Sequence, residues 1–275
     1  MVRKRSRKSK KNRNSISSSG IAGLILGVIA IFGIATFIFM RSTIVPPVID
    51  EKTLCDTTRK IDSVVAILID TTDQLSKASA SHAEHYIDLL VSNLPSNSAI
   101  AVYEITDNTG GLIEPVISLC KPDDGSNANS MVSSPEIIRK NFQNKFSFPL
   151  REKLEIVMSN NESNTTPLIE SIQSAVVETF LEHNGVTSKQ IIVISDLLQH
   201  SDLYSFYREV PSFDGFVKKS SETGRGFVDL KGIKMHFLVV PSKVPVGSRN
   251  DVIRFWRDFM IKNNAAPGST MEPLS

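Results

Sequence analysis

The apolar and polar positions of this chain alternate between short buried runs and helical stripes. Val64 to Ile69 and Ile191 to Ile194 are uninterrupted apolar runs, the first breaking off at Asp70 and the second at Ser195-Asp196. Runs of that length bounded by polar residues predict strands buried on both faces, as in a parallel sheet. From Ser76 to Leu94 the apolar residues Ala83, Ile87, Leu90 and Leu94 recur at helical spacing until Pro95 ends the pattern. Ala99 to Thr106 alternates as a strand does, and Ile113 to Cys120 predicts another strand after Gly110-Gly111. The polar stretch Lys121 to Ser134 predicts a loop without chemistry, and Pro135 opens a broken helix that runs through Met158. Thr166-Pro167 starts the next helix, with Leu168, Ile172, Ala175 and Val176 as its apolar stripe.

The strand at Gln190 to Ser195 is followed by a long segment with a helix-like middle and a Gly224-Arg225-Gly226 turn. Met235 to Val240 predicts a fifth strand, and a helix from Asp251 to Ile261 closes the pattern. That helix gathers Val252, Phe255, Trp256, Phe259 and Met260 on one face, so the single Trp is read as core. Strands and helices alternate throughout, which predicts an α/β fold with a doubly wound, mostly parallel sheet and helices on both faces. Asp70 and Asp196 would then stand at strand C-terminal ends, where open α/β sheets place their ligands.

Ahead of this domain, residues 1–13 carry eight Lys or Arg, and Gly20 to Met40 is a run of 21 residues without a charge. Roughly 20 apolar residues at ~1.5 Å rise cross a bilayer core, so residues 20–40 are expected to be a transmembrane helix. Signal-peptide cores are usually about 7–15 residues and end in a small-x-small site. This run is longer and offers only Gly33-Ile34-Ala35, so it is read as an uncleaved anchor. The excess of basic residues places 1–19 in the cytoplasm as a basic tail. The remainder of the chain is expected on the far side of a plasma or inner membrane, periplasmic or extracellular: a linker at 41–62, the domain at 63–265 and a C-terminal tail at 266–275.

The net charge of +2 hides an asymmetry. Residues 1–41 hold nine of the 31 basic residues and no acidic one, which leaves 22 basic against 29 acidic residues beyond, a net of −7. A folded domain of that sign argues against nucleic acid as a partner. The two cysteines, Cys55 and Cys120, permit one disulfide in an oxidising compartment; the alternative is two unpaired small apolar side chains.

The segments VVAILIDTTDQLS (64–76), NTTPLIESI (164–172) and IIVISDLLQ (191–199) together resemble the von Willebrand factor A (VWA) family and its metal-ion-dependent adhesion site. In that family the first strand ends in D-x-S-x-S, a second loop brings a Thr, often as T-P-L, and the fourth strand ends in S-D. The resemblance implies a Rossmann-like fold and a Mg²⁺ site, or a Mn²⁺ or Ca²⁺ site, held by Asp70, Thr72, Thr166 and Asp196. Gln74 stands where the family has a hydroxyl. It further implies a protein partner that offers an acidic residue to the cation, in adhesion or envelope-complex assembly. A metal-free VWA-like scaffold is the alternative.

An enzyme is the remoter reading. The phosphotransfer pattern D-x-D-x-T requires a carboxylate two residues after the first; Thr72 stands there, and Asp73 comes one place late. There is no G-x-S-x-G and no P-loop. His82 and His85, three apart on the predicted first helix of the domain, are read as solvated.

Overall fold

A computed structural model describes residues 18–42, 47–72, 75–106, 112–126, 134–159, 164–181, 183, 185–207, 209–242 and 248–274. The chain divides into two compact units, Met1–Pro46 and Pro47–Ser275.

In the first unit, helix α1 spans Ser18–Ser42, a length of about 37 Å at 1.5 Å per residue. Its described side chains include Val28, Ile29, Ile31, Phe32, Ile34, Phe37, Ile38 and Phe39, all exposed. Thr36 turns its hydroxyl back to the Phe32 carbonyl at 2.5 Å, satisfying its one polar group within the helix. Among the described residues, no helix is long and apolar enough to cross a membrane. The side chains at 18–22, 24–25 and 40–42 lie outside the description.

The second unit is a six-stranded sheet of order β3-β2-β1-β4-β5-β6. Its strands are β1 (Ser63–Asp70), β2 (Ala99–Ile105), β3 (Ile117–Cys120), β4 (Ser188–Ser195), β5 (Ile233–Val239) and β6 (Thr270–Pro273). All neighbouring pairs are parallel except β2 with β3. The core follows the two-residue period of β1. Val64, Ala66 and Leu68 pack on one face with Leu168, Ile172, Phe255, Trp256 and Phe259. Val65, Ile67 and Ile69 pack on the other with Ala83, Ile87, Phe146, Leu150 and Leu154. Helices α2 (Lys77–Asn93) and α4 (Phe148–Ser159) therefore cover one side, and α5 (Leu168–Ala175), α6 (Phe213–Thr223) and α7 (Arg249–Lys262) cover the other. Burial on both faces is why β1 is apolar without alternation.

Pro149 shapes the long helical stretch before the second loop. It has no amide to bond four residues back, and in a regular α-helix its ring would crowd the Lys145 carbonyl; the helix α3 (Pro135–Phe142) widens at Gln143–Ser147 into a π turn. There the Phe148 amide bonds the Gln143 carbonyl, five residues back.

Three expectations are corrected. The strand predicted from Ile113 begins only at Ile117, since Pro115 cannot donate to a ladder, and it pairs antiparallel with β2 at the sheet edge. The tail 266–275 is not outside the domain: β6 pairs with β5, the Leu274 amide bonds the Val239 carbonyl at 2.8 Å, and Leu274 is buried. The linker at 41–62 is also too long, since residues from Pro47 onward belong to the compact unit. There Ile49 bridges to Asp56, and Cys55 forms a disulfide with Cys120 (Cα–Cα 4.8 Å) that ties this segment to β3.

Candidate metal centre

The chain leaves β1 toward β2 on one side of the sheet, while β4 lies on the other, so a crevice opens where the two directions part. Asp70 ends β1 and Asp196 follows the last residue of β4. The register sets Ile69 against Ile194, which brings Ser195 beside Asp70. Ser195 Oγ donates to Asp70 Oδ2 at 2.6 Å. Thr72 donates to Asp70 Oδ1 through its hydroxyl at 2.7 Å and its amide at 3.1 Å. Both oxygens of a carboxylate only 5% exposed are thus held by hydroxyls and an amide.

Asp196 is 7% exposed and accepts the Leu198 amide on Oδ1 at 2.9 Å. Between them Leu197 has φ 71°, a conformation that a branched side chain rarely adopts. Neighbouring groups enforce it: Leu197 N donates to Ser195 Oγ, Trp256 Nε1 donates to the Leu197 carbonyl at 2.9 Å, and the Leu197 side chain is fully buried. Strain of this kind persists only where the surroundings over-determine it, and it gathers at functional sites.

Thr166 arrives from the second loop and is buried. Its amide donates to the His200 carbonyl at 2.7 Å and its carbonyl accepts the His200 amide at 2.8 Å, an isolated bridge that joins this loop to the one after Asp196. Gln199 completes the clamp. Its Oε1 accepts the Ile169 amide at the start of α5, and its Nε2 donates to Glu170 and to Ser201, each at 2.9 Å. The structure therefore joins Asp70 and Thr72 directly, sets Asp196 beside Asp70, and fixes the Thr166 loop to the residues following Asp196. Gln74 and Asp73 lie outside the described residues. His82 and His85 are exposed on α2.

The electrostatics follow from this burial. Desolvation pushes Asp70 up to about 6, and the charge of Asp196 adds to the rise, while the hydroxyls of Ser195 and Thr72 oppose it. Arg249, the first residue of α7, is half-buried and donates from Nη1 to the Asp196 carbonyl. Desolvation moves its guanidinium below the ordinary value, and the Asp196 carboxylate pulls it back.

Two carboxylates and two hydroxyls are the hard-oxygen donor set that Mg²⁺ takes, with water completing its octahedron. The donors fit such an ion, and a doubly positive charge would relieve the cost of burying two carboxylates together. Among the described residues, no group of three or more His, Cys, Asp or Glu is placed to hold a metal; the proposed set has two carboxylates and depends on hydroxyls.

Ser195, Gln199 and Arg249 were not among the expected site residues. Ser195 belongs to the S-D pair and could have been read from it. Gln199 carries no signal in the sequence, and Arg249 lies 53 residues from the aspartate it touches.

No protein-family model matches the chain, and no curated protein matches it. Among solved structures it is similar to a von Willebrand factor type A from Catenulispora acidiphila, at 10% identity and a TM-score of 0.35, over 74% of this chain and 43% of that one. It is also similar to the PilB minor pilin from Streptococcus sanguinis, at 12% identity and a TM-score of 0.41, over 78% of this chain and 57% of that one. The chain thus spans about half the length of each.

Proposed function

We propose that this chain is a membrane-anchored, extracytoplasmic protein-binding module of VWA type. It binds a partner, not a substrate, and a divalent cation at the sheet top mediates the contact. Asp70, Thr72, Thr166 and Asp196 hold the ion, which is Mg²⁺ or, with similar donors, Mn²⁺ or Ca²⁺. When bound, the ion supplies an open coordination position for a carboxylate of the partner, in adhesion or in the assembly of an envelope complex. The observation that carries this reading is the pair of buried aspartates at the ends of adjacent parallel strands, with the Thr72 hydroxyl on Asp70. The uncharged run at 20–40 after eight basic residues supports an anchor with its N-terminus in the cytoplasm.

The test is a melting curve of the full chain in detergent micelles with and without millimolar Mg²⁺ or Mn²⁺. A bound ion raises stability by about 2.7 kcal/mol at a hundredfold excess over its dissociation constant. Asp70→Ala and Asp196→Ala should each remove that rise, and capture of an acidic partner should require the ion. No rise in the wild type would reject a cation-bridged contact. A reporter fused after Ser275, active only outside the cytoplasm, tests the anchor; a silent reporter would reject the topology.

A metal-free scaffold has one observation in its favour. Arg249 already brings a positive charge to Asp196.

A further inference from the structure

The position of Arg249 bears on how tightly a cation can bind. Its guanidinium is half-buried and reaches Asp196 from the first turn of α7, where Ser248 caps the helix and accepts the Asp251 amide at 3.3 Å. The same helix is pinned to the same loop a second time, by Trp256 Nε1 on the Leu197 carbonyl. Two bonds to consecutive carbonyls, at 196 and 197, fix α7 against the turn that carries the Asp196 carboxylate. Partial burial and the bond to the Asp196 carbonyl hold the guanidinium at this turn, where its charge acts on the Asp196 carboxylate.

We propose that Arg249 is a built-in competitor of the divalent cation: its fixed positive charge beside Asp196 offsets part of the negative charge of the site and sets cation affinity low. The proposal rests on the cation reading above. A cation entering between Asp70 and Asp196 meets a like charge that no substitution at the ligands would remove. Every ligand substitution weakens binding, whereas loss of Arg249 strengthens it. That opposite sign separates the role from a structural one, since a residue that merely supported the loop would weaken binding when lost.

The experiment is a titration of Mg²⁺, and separately of Mn²⁺, into the full chain in detergent micelles, followed by calorimetry and by the melting temperature. Arg249→Gln keeps an amide donor for the Asp196 carbonyl and removes the charge; Arg249→Lys keeps the charge and loses the planar fork. Binding to the Gln variant should tighten about tenfold or more, binding to the Lys variant should stay near wild type, and the difference should narrow as salt is raised. A wild type that shows no binding at millimolar ion rejects the cation reading, and with it this proposal, whatever the Gln variant does. If the wild type binds and the Gln variant binds equally or more weakly, the proposal is overturned and the cation site stands. If neither binds, the site and the proposal fall together. Should the Gln variant not fold, a Lys variant that binds tenfold tighter than wild type overturns the role of charge by itself.

Discussion

The two ends of the sheet handle buried charge in opposite ways. At the N-terminal ends of the strands, Asp56 accepts Thr58 on Oδ1 and Arg59 Nε on Oδ2 at 2.6 Å, while its amide is taken by Asn97. Lys121, 3% exposed, donates to the carbonyls of Leu94 and Ser92 and pairs with Asp124 at 3.3 Å. The Cys55–Cys120 disulfide locks these elements together. Each buried charge there has a partner of opposite sign. At the C-terminal ends, the hydrogen bonds to Asp70 come from hydroxyls and an amide, a second aspartate stands beside it, and burial raises its affinity for a proton. At the lower end each of these charges is paired; at the upper end Arg249 reaches Asp196, while the hydrogen bonds to Asp70 come from neutral groups.

Breaking the lower end should have the largest effect. Replacing Cys55 and Cys120 by Ala opens a link across 65 residues and should cost about 4 kcal/mol on the chain-entropy account, read from chemical denaturation. The response to Mg²⁺ should survive, because the bridge lies at the opposite end from the aspartates.

Next comes Asp70→Asn. With chelator at pH 7 it should stabilise the fold by up to about 3 kcal/mol, the penalty implied by a carboxyl moved from 3.8 to about 6, and it should abolish any gain from Mg²⁺. A destabilised Asn variant would mean that the top is as self-sufficient as the bottom.

Acid should separate the ends without mutation. In the folded state Asp70 holds its proton up to about pH 6, whereas the unfolded chain releases it near 3.8. Its contribution is therefore fully present below about 3.8 and is lost as pH rises through about 6. Asp56 is lowered to about 2, chiefly by the Thr58 hydroxyl with Arg59 assisting, so its contribution is present above 3.8 and lost as pH falls through about 2. Carboxyl chemical shifts recorded with chelator should show these two titrations on opposite sides of the ordinary value.

Gln199→Leu should cost about 2 kcal/mol, since it leaves the buried Ile169 amide without its acceptor and removes one hydrogen bond to Glu170, which keeps the Ser201 hydroxyl. It should also weaken Mg²⁺ binding by loosening the Thr166 loop. The smallest effect is expected for Arg59→Ala: its side chain is 60% exposed and Asp56 keeps the Thr58 hydroxyl and amide, so denaturation should show a loss well below that of Gln199→Leu.

Much of the fold was legible in the chain because strands buried on both faces must be apolar without interruption. Val64 to Ile69 and Ile191 to Ile194 could hardly be anything else, and Asp70 and Asp196 mark where each run stops. Thr72 and Thr166 were readable from their place in the motifs. Weaker signals misled: Thr270–Pro273 is four residues with little apolar content, and pairing with β5 alone makes it a strand. Lys121 opens a polar stretch, yet it is buried because two carbonyls at the end of α2 converge on it.

The sequence by itself determined the order of the first five strands and the helices among them, the polar residues that end β1 and β4 and the charge asymmetry around residues 20–40, since each depends on local pattern alone. Only the tertiary structure decided which groups surround the aspartates. Strand register set Ser195 on Asp70, a loop bridge carried Gln199 to α5, and the packing of α7 delivered Arg249 to Asp196. These contacts join residues 30, 53 and 125 apart in the chain, and no periodicity in a sequence encodes a distance that only close packing of the whole sheet creates.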